Sequence, residues 1–342
     1  MRKEQGDTKE VLQLKTDLKN KTLGKCYVLY GEEDYLRLYY FRQMKKQLLD
    51  PLTEDFNYHR LTAENFSLQL LADSMEALPM MGERTLVHLD DAPLLELKSE
   101  GDINAAVALL SDIPEHCCLV LTYANLKPDK RKKLWKTLDK NGVVAEFRYQ
   151  KETELRPWII RHFKARGKTI SSSLCNELMS LCGLSMSRLQ GEIEKICAYS
   201  DSDTIVKSDL TEVVEPTLEA AVFEIFSCIA DKKFDRALET LQVLIRQQEE
   251  PIAILAAMGT QLRRLRAAKY FQRNDEFSEV TGASGFMVGK TMTQARHFSE
   301  EFCDKAVLLC RDTDYQIKTS YDDKNRLLEI LILKLAEEAR ND

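Results

Sequence analysis

The chain has 342 residues, which is enough for two or three domains with hydrophobic cores of their own. Hydrophobic residues make up 44% of it and charged residues 30%, a balance typical of water-soluble globular proteins, and the net charge of −6 argues against a protein that coats nucleic acid over its whole surface. No apolar run is long enough to span a membrane, and the first residues lack the apolar segment of a signal peptide, so we expect a cytoplasmic protein.

The first section of the chain alternates short apolar strands with helices. The predicted strands are Cys26–Tyr30, Phe56–Leu61, Thr85–Leu89, Cys117–Tyr123 and Val143–Phe147. The predicted helices are Tyr35–Leu49, Phe66–Leu78, Gly101–Leu110 and Asp129–Leu138. This alternation predicts an α/β domain with a mostly parallel sheet that helices cover on both faces.

Strand signals stop after Tyr149, and helical periodicity continues to the end of the chain. The first predicted helices of this part are Glu154–Arg166, Ser172–Cys182 and Met186–Tyr199. The later ones are Ala221–Ala230, Phe234–Gln247, Pro251–Arg273, Lys290–Phe298, Glu301–Ile317 and Tyr321–Ala339. We therefore predict an N-terminal extension, flexible or ordered, at 1–22, the α/β domain at 23–149, a small helical domain at 150–211 and an all-helical domain at 212–342.

The cysteines and histidines show no pattern that binds a metal. None of the nine cysteines forms a C-x-x-C pair, and the five histidines include no H-E-x-x-H motif. We expect free thiols in a reducing cytosol, no metal site and no cofactor.

The first predicted strand leads into a loop with the layout of a phosphate-binding loop but without its key residues. That loop requires G-x-x-x-x-G-K-[ST] between a strand and a helix. Counting from Gly31, the second glycine is replaced by Leu36, the lysine by Arg37 and the hydroxyl residue by Leu38. The architecture is therefore that of a nucleotide-binding domain in which the nucleotide site has degenerated.

Three carboxylates stand in this loop at the position of the phosphates, namely those of Glu32, Glu33 and Asp34. They would repel a triphosphate, and they also place negative charge at the positive end of the helix that follows. We predict that Gly31, Arg37 and these acids do not bind nucleotide. An ordinary strand–helix connection with an acidic cap remains an equal alternative.

A second near match to the same motif lies at 284–291, where Gly289, Lys290 and Thr291 supply its last three residues. Its first glycine is one residue too late, and no apolar strand precedes it. A helix–turn–helix connection is the favoured interpretation. An active ATPase that uses Lys290 is the alternative.

A short apolar segment follows the second predicted helix of the α/β section. Pro79 stops that helix after Leu78, and Met80, Met81 and Gly82 follow before the next strand. Methionine is flexible and polarizable, so two adjacent methionines in a loop suit an adaptable binding surface. Packing of both side chains beneath the loop is equally compatible with the sequence.

A basic cluster begins the fourth predicted helix and consists of Lys130, Arg131, Lys132 and Lys133. Such a cluster is a candidate for contact with DNA phosphates. A solvated helix face is the commoner explanation of the same pattern.

Several segments, in their order and spacing, resemble the delta subunit of the bacterial DNA polymerase III clamp loader. They are Val28–Leu36, Ala77–Val87, Leu189–Ile196, Glu249–Leu255 and Asp314–Thr319. The resemblance covers residues 20–340 and implies an N-terminal AAA+ (RecA-like) domain, a small helical lid and a helical collar.

The resemblance also implies a function. The chain would bind the beta sliding clamp and open one interface of the ring, so that the clamp can be loaded on primed DNA during replication. Leu78, Met80 and Met81 stand where the family places the residues that enter a hydrophobic pocket of the clamp. The chain would assemble through its collar with other loader subunits of the gamma/tau and delta-prime type. ATP would be bound by other subunits of the loader. This chain would have no active site of its own within the polymerase holoenzyme.

Two further alternatives remain open. A delta-prime subunit has a similar layout, but its four-cysteine zinc module and its Ser-Arg-Cys motif are absent here. A DNA-binding regulator would work through the basic cluster near Lys130, against which the net acidity of the chain argues.

Overall fold

The computed structural model of the protein describes residues 7–124, 126–271, 273–283 and 285–342, with the side chains of residues 285 and 286 excepted. The contacts between residues divide the chain into two compact units. One contains the described residues up to Leu155 together with Leu184–Gln190, and the other contains Arg156–Gly183 and Gly191–Asp342. The four-part division at 22, 149 and 211 stays a prediction.

The first unit is built on a five-stranded parallel sheet with the strand order β2-β3-β4-β1-β5. The strands are β1 (Cys26–Gly31), β2 (Tyr58–Leu61), β3 (Thr85–Asp90), β4 (Cys117–Tyr123) and β5 (Val143–Phe147). The predicted α/β fold with a mostly parallel sheet is confirmed.

Helices cover both faces of this sheet. Along β1 the side chains of Val28 and Tyr30 enter one hydrophobic cluster, while Tyr27 and Leu29 enter another, because successive side chains of a strand point to opposite faces. All residues of β4 are buried, which is why this strand reads as a continuous apolar run. The helices and the helical turn of this unit are α1 (Lys9–Asn20), α2 (Asp34–Leu48), α3 (Glu54–Asn57), α4 (Leu68–Glu76), α5 (Glu100–Ser111) and α6 (Lys133–Asn141).

Helix α1 lies where the sequence analysis left the order of an N-terminal extension open. Val11 and Leu14 are buried on the sheet, and Leu18 packs against the same cluster. At the end of the helix, the hydroxyl of Tyr27 donates to the carboxylate of Asp17 over 2.8 Å. The helix is therefore part of the α/β core.

The remainder of the chain is helical, with one isolated parallel bridge between Thr169 and Thr204. Its helices are α7 (Glu152–Lys164), α8 (Ser172–Cys182), α9 (Met186–Tyr199), α10 (Lys207–Val213), α11 (Leu218–Ala230), α12 (Phe234–Arg246), α13 (Pro251–Tyr270), α14 (Asn274–Thr281), α15 (Gly285–Ala295), α16 (Glu300–Thr319) and α17 (Lys324–Asn341). The predicted helical fold of this part is confirmed, and α10 and α14 are additional to the predicted helices. The largest apolar cluster, which includes Phe226, Met258, Phe302 and Leu331, joins α11, α13, α16 and α17.

None of the described helices is both long enough and apolar enough to cross a bilayer. All nine cysteines are free thiols, and eight of them are buried. Among the described residues, no three His, Cys, Asp or Glu side chains converge as a metal site.

Candidate functional site

The loop after β1 is shaped by contact with β5. Gly31 has a φ of 127°, and a Cβ atom at this position would lie 2.1 Å from the carbonyl oxygen of Phe147. The backbone N–H of Glu33 donates to that same oxygen over 3.1 Å. Glycine is thus required here by the close approach of two backbones, without reference to any phosphate.

Glu33 is buried, and its carboxylate caps the start of two helices. One oxygen accepts the backbone N–H of Tyr35 in the first turn of α2 over 3.2 Å. The other accepts the backbone N–H of Met186, the first residue of α9, over 3.1 Å. One amide at the start of α2, where an intact loop would bind a phosphate oxygen, is therefore already bonded to a side chain of the chain itself.

The burial of this carboxylate governs its acidity. Desolvation raises the pKa of Glu33 to about 7, although the N–H groups of Met186 and Tyr35 act in the opposite direction. The loop therefore carries a group that titrates near neutral pH.

The residue at the lysine position of the motif is also used internally. The guanidinium of Arg37 is buried and pairs with Asp34 over 2.7 Å, one helical turn away. Glu32, by contrast, is exposed. Asp34 and Arg37 therefore neutralise each other within α2.

The second near match to the phosphate-binding motif is helical. Gly289, Lys290 and Thr291 lie inside α15, and Ser284 lies outside the described residues. The ammonium group of Lys290 contacts the hydroxyl of Ser180 and stands 5.6 Å from the ring centre of Phe223. The element before it, α14, is a helix, so the strand that a phosphate-binding loop needs does not precede it.

The apolar loop between α4 and β3 is exposed. The helix ends at Glu76, two residues earlier than predicted, because the residue before a proline disfavours helical geometry. Leu78, Met80 and Met81 are 79%, 52% and 89% exposed. The interpretation in which both methionines pack beneath the loop does not describe this structure.

The buried side chain of Asn57 holds the backbone of this loop through hydrogen bonds. The side-chain oxygen of Asn57 accepts the N–H of Met80 over 2.7 Å, and its amide nitrogen donates to the carbonyl of Met80 over 2.9 Å. The same nitrogen donates to the hydroxyl of Thr53 over 3.2 Å. A side-chain Cβ at Gly82 would lie 3.1 Å from that nitrogen, so the loop closes tightly on Asn57.

A second anchor follows the loop. The guanidinium of Arg84 donates to the carbonyls of Leu23, Gly24 and Cys117 over 2.6 to 2.9 Å. Between the two anchors, Met81 adopts a left-handed backbone with a φ of 52°. This conformation is uncommon for a residue other than glycine, and Met81 is the more exposed of the two methionines of the loop.

The residues that hold this loop are not evident from the sequence. Phe56 and Asn57 belong to a predicted strand, but in the structure they lie in the helical turn α3. The side chain of Phe56 is exposed there, and that of Asn57 is buried. The sequence shows an asparagine at this position but not its burial, and it is burial that makes partners for the amide necessary. Its partner, the backbone of Met80, is 23 residues away and leaves no local pattern.

The basic cluster begins before its helix. Helix α6 starts at Lys133, four residues later than predicted, because Asp129 accepts the backbone N–H of Arg131 over 3.1 Å in a turn. Arg131 also pairs with Asp129, while the ammonium groups of Lys132 and Lys133 donate to Leu95 and Asn104. Contact of Lys130–Lys133 with DNA stays a prediction.

Comparison with known proteins identifies the family in both parts of the chain. Residues 27–148 match the model of "DNA polymerase III, delta subunit", and residues 219–335 match that of "DNA polymerase III delta subunit, C-terminal domain". The first match contains the degenerate loop and the apolar loop.

Individual relatives agree over nearly the full length. The DNA polymerase III subunit delta of Bacillus subtilis is 30% identical in an alignment of 329 positions that covers 93% of this chain and 94% of that protein. A probable DNA polymerase III subunit delta of Aquifex aeolicus is 20% identical over 318 residues, covering 89% of each chain. The solved structure of the Bacillus subtilis DNA clamp loader delta protein (YqeN) is similar with a TM-score of 0.60 and 28% identity, over 95% of this chain and 99% of that one. The chain therefore belongs to the DNA polymerase III delta subunit family.

Proposed function

We propose that this clamp-loader delta subunit binds the ring-shaped beta sliding clamp through Leu78, Met80 and Met81 and holds one ring interface open, so that the clamp can be loaded on primed DNA. The observation that carries the proposal is the apolar loop, whose three side chains are exposed while its backbone is fixed. A monomeric protein gains nothing by displaying adjacent methionines to water, whereas a partner with an apolar pocket would bury them.

The hydrogen bonds of Asn57 and Arg84 also favour binding, because they fix the backbone of the loop in advance. A flexible loop would lose conformational freedom on binding, and that loss would offset part of the contact energy. Asn57 and Arg84 hold the loop before any partner arrives, so less of this entropy remains to be lost. Phe56 in α3, the residue before Asn57, is exposed as well.

The direct test is size-exclusion chromatography of this chain with the beta clamp of the same organism, without nucleotide. A complex that elutes earlier than either protein supports the proposal. Separate elution at concentrations of about 10 μM would contradict it, since an interface of two or three buried apolar anchors should bind at least this tightly.

We further propose that the helical C-terminal domain, the collar of the sequence analysis, assembles with gamma/tau and delta-prime type subunits and that the protein works in the cytoplasm. ATP would be bound by those other subunits. The degenerate loop supports this division of labour, because the carboxylate of Glu33 accepts an N–H of the first turn of α2, where a phosphate would bind.

Asn57 is expected to act as a positioning residue for clamp binding. In Asn57→Ala the N–H and carbonyl of Met80 lose their partner, and the loop must be ordered when it binds, so we expect clamp affinity to fall about fivefold to thirtyfold. Isothermal titration with the clamp measures the change. Asn65→Ala is the matched control, because Asn65 holds a different loop of the same unit through Thr62 and Arg60. Wild-type affinity in Asn57→Ala would show that the loop needs no such support.

The isolated chain is expected to bind no ATP. A fluorescent ATP analogue with magnesium should show no saturable binding in the micromolar range, with a nucleotide-binding loader subunit as the positive control. Should binding occur, Lys290→Ala and Arg37→Ala tell which loop is responsible. Loss of binding in Lys290→Ala would favour the ATPase alternative.

A further inference from the structure

Helices α1 and α2 form the walls of an open cleft that encloses about 560 Å³. This volume is far more than a single phosphate requires and lies in the range of sites that hold a nucleotide-sized group. Both helices belong to the same compact unit. The side chains that give the cleft its chemical character are Lys15, Lys19, Lys21, Lys46, Tyr39 and Tyr40.

Three of the four lysines of the cleft have no acidic partner among the described residues. Lys15 pairs with Asp7, but among the described residues no carboxylate lies within ion-pair distance of Lys19, Lys21 or Lys46, all of which are exposed. Elsewhere in the chain, lysines share acids, as Lys305 does with two glutamates. In a chain with a net charge of −6, three unpaired ammonium groups around one cleft create a local positive potential that favours a polyanion.

The aromatic residues of the cleft form a fixed platform. The ring of Tyr39 is 43% exposed, stacks on Tyr35 with centres 6.4 Å apart, and meets the edge of Tyr40 at 5.2 Å. Tyr40 in turn stacks on Phe147 at 5.5 Å. A ring held in this way offers its remaining surface to an unpaired base with little loss of freedom.

We propose that the cleft between α1 and α2 binds single-stranded DNA without sequence preference, with the lysines on the phosphates and Tyr39 against a base. Lysines alone would serve a duplex equally well, whereas a stacking surface between them is of use only when bases are unpaired. The cleft is separate from the Leu78–Met81 loop and does not depend on clamp binding, so the two proposals fail independently.

The test is fluorescence anisotropy of a labelled oligothymidylate of about 20 nucleotides with the full chain over a series of salt concentrations. For single strands, each lost phosphate contact reduces the slope of log K against log salt by about 0.7, so Lys19→Gln with Lys46→Gln should reduce it by about 1.4. The control pair Lys324→Gln and Lys334→Gln removes the same charge from exposed positions of α17 and should leave the slope unchanged.

The stacking contact has its own pair of variants. Tyr39→Ala should weaken binding of the oligothymidylate about fivefold or more, and Tyr39→Phe should preserve it, because phenylalanine keeps the ring. All five substituted positions in the cleft and control variants are exposed, so the fold is expected to persist, which circular dichroism checks.

Three results would overturn the proposal. One is an equal slope in the cleft and control pairs. Another is duplex binding as tight as single-strand binding together with no effect of Tyr39→Ala. The third is that Lys130→Gln with Lys132→Gln lowers the affinity for the oligothymidylate while the cleft variants do not. That result would assign the DNA contact to the basic cluster before α6.

Discussion

Replacing both Met80 and Met81 with alanine is expected to weaken binding to the beta sliding clamp by about two to four orders of magnitude and to leave the fold intact. Both side chains are exposed in the free protein, so they contribute little to its stability. Burying a methionine in an apolar pocket stabilises a complex by about 1.5–3 kcal/mol, and two such losses correspond to this change in affinity. Isothermal titration with the clamp measures it.

The matched control removes exposed apolar side chains from a different surface. Leu308 in α16 and Leu333 in α17 are each about half exposed, like Met80, so Leu308→Ala with Leu333→Ala tests whether any loss of apolar surface has the same effect. Clamp binding at wild-type strength by the double methionine variant, or equal losses in both variants, would refute the role of the loop. Alanine at position 81 adds no backbone strain, because methionine already occupies the left-handed conformation there.

Opening of the ring requires more than affinity. A protein shifts the balance between a closed and an open clamp only by the difference in its affinity for the two states. If Met80 and Met81 bound the closed and the open clamp with equal affinity, they would hold the clamp without opening it. A rigid loop favours the opposite case, since a fixed frame does not adapt equally well to two shapes of the partner.

The sheet was largely predictable from the sequence because its inner strands are buried on both faces. The predicted range of the edge strand β5 agrees with the structure residue for residue, as does that of the inner strand β4, and the inner strand β1 is longer by Gly31 alone. An apolar run bounded by polar residues defines such a strand without further information. The edge strand β2 begins two residues later than predicted, because residues 54–57 use their backbone in the helical turn α3.

The order and packing of α1 were harder to predict from the sequence. Val11, Leu14 and Leu18 have helical spacing, but polar or charged residues occupy four of the five positions between them and mask the narrow apolar stripe. The composition of this segment therefore resembles that of a flexible extension. Its burial depends on the surface of β1 and β5, which local periodicity does not describe.

The apolar loop and the acidic loop are both shaped by contacts between residues far apart in the chain, and no local sequence pattern predicts such contacts. Exposure of the two methionines was one of two readings of the sequence, and the structure decides it through Asn57. The acidic loop was recognised as degenerate, but the bond from Met186 to Glu33 spans 153 residues. A sequence shows that a carboxylate is present; only the fold shows that it is buried and shared by two helices.

Glu33 is expected to make the protein less stable as the pH rises toward and through neutrality. Its pKa is about 7 in the folded chain and near the ordinary value of 4.5 when the chain is unfolded, so the folded state holds the proton more tightly. Stability from this group is full below about pH 4.5, declines between the two values and is lost above about pH 7, for a total of about 3 kcal/mol.

The measurement is the difference between wild type and Glu33→Gln, whose amide does not titrate. Burial lowers the pKa of His88, which makes the protein more stable as the pH rises, and this opposing effect cancels in the difference. Urea unfolding at about pH 5 and pH 8 gives the two free energies. A Trp158→Phe background leaves Trp135 of α6 as the single tryptophan, so that fluorescence reports the unit that contains Glu33.

Glu32→Gln is the matched control, because Glu32 is an exposed neighbour of the same charge and should keep the wild-type dependence. Glu33→Gln should also be less stable at low pH than wild type by about 1–3 kcal/mol, since an amide nitrogen then faces one of the N–H donors of Tyr35 and Met186. The essential result is the slope. If wild type and Glu33→Gln change in parallel between the two pH values, the buried carboxylate does not titrate in this range, and its role as an internal replacement for phosphate would rest on hydrogen bonding alone.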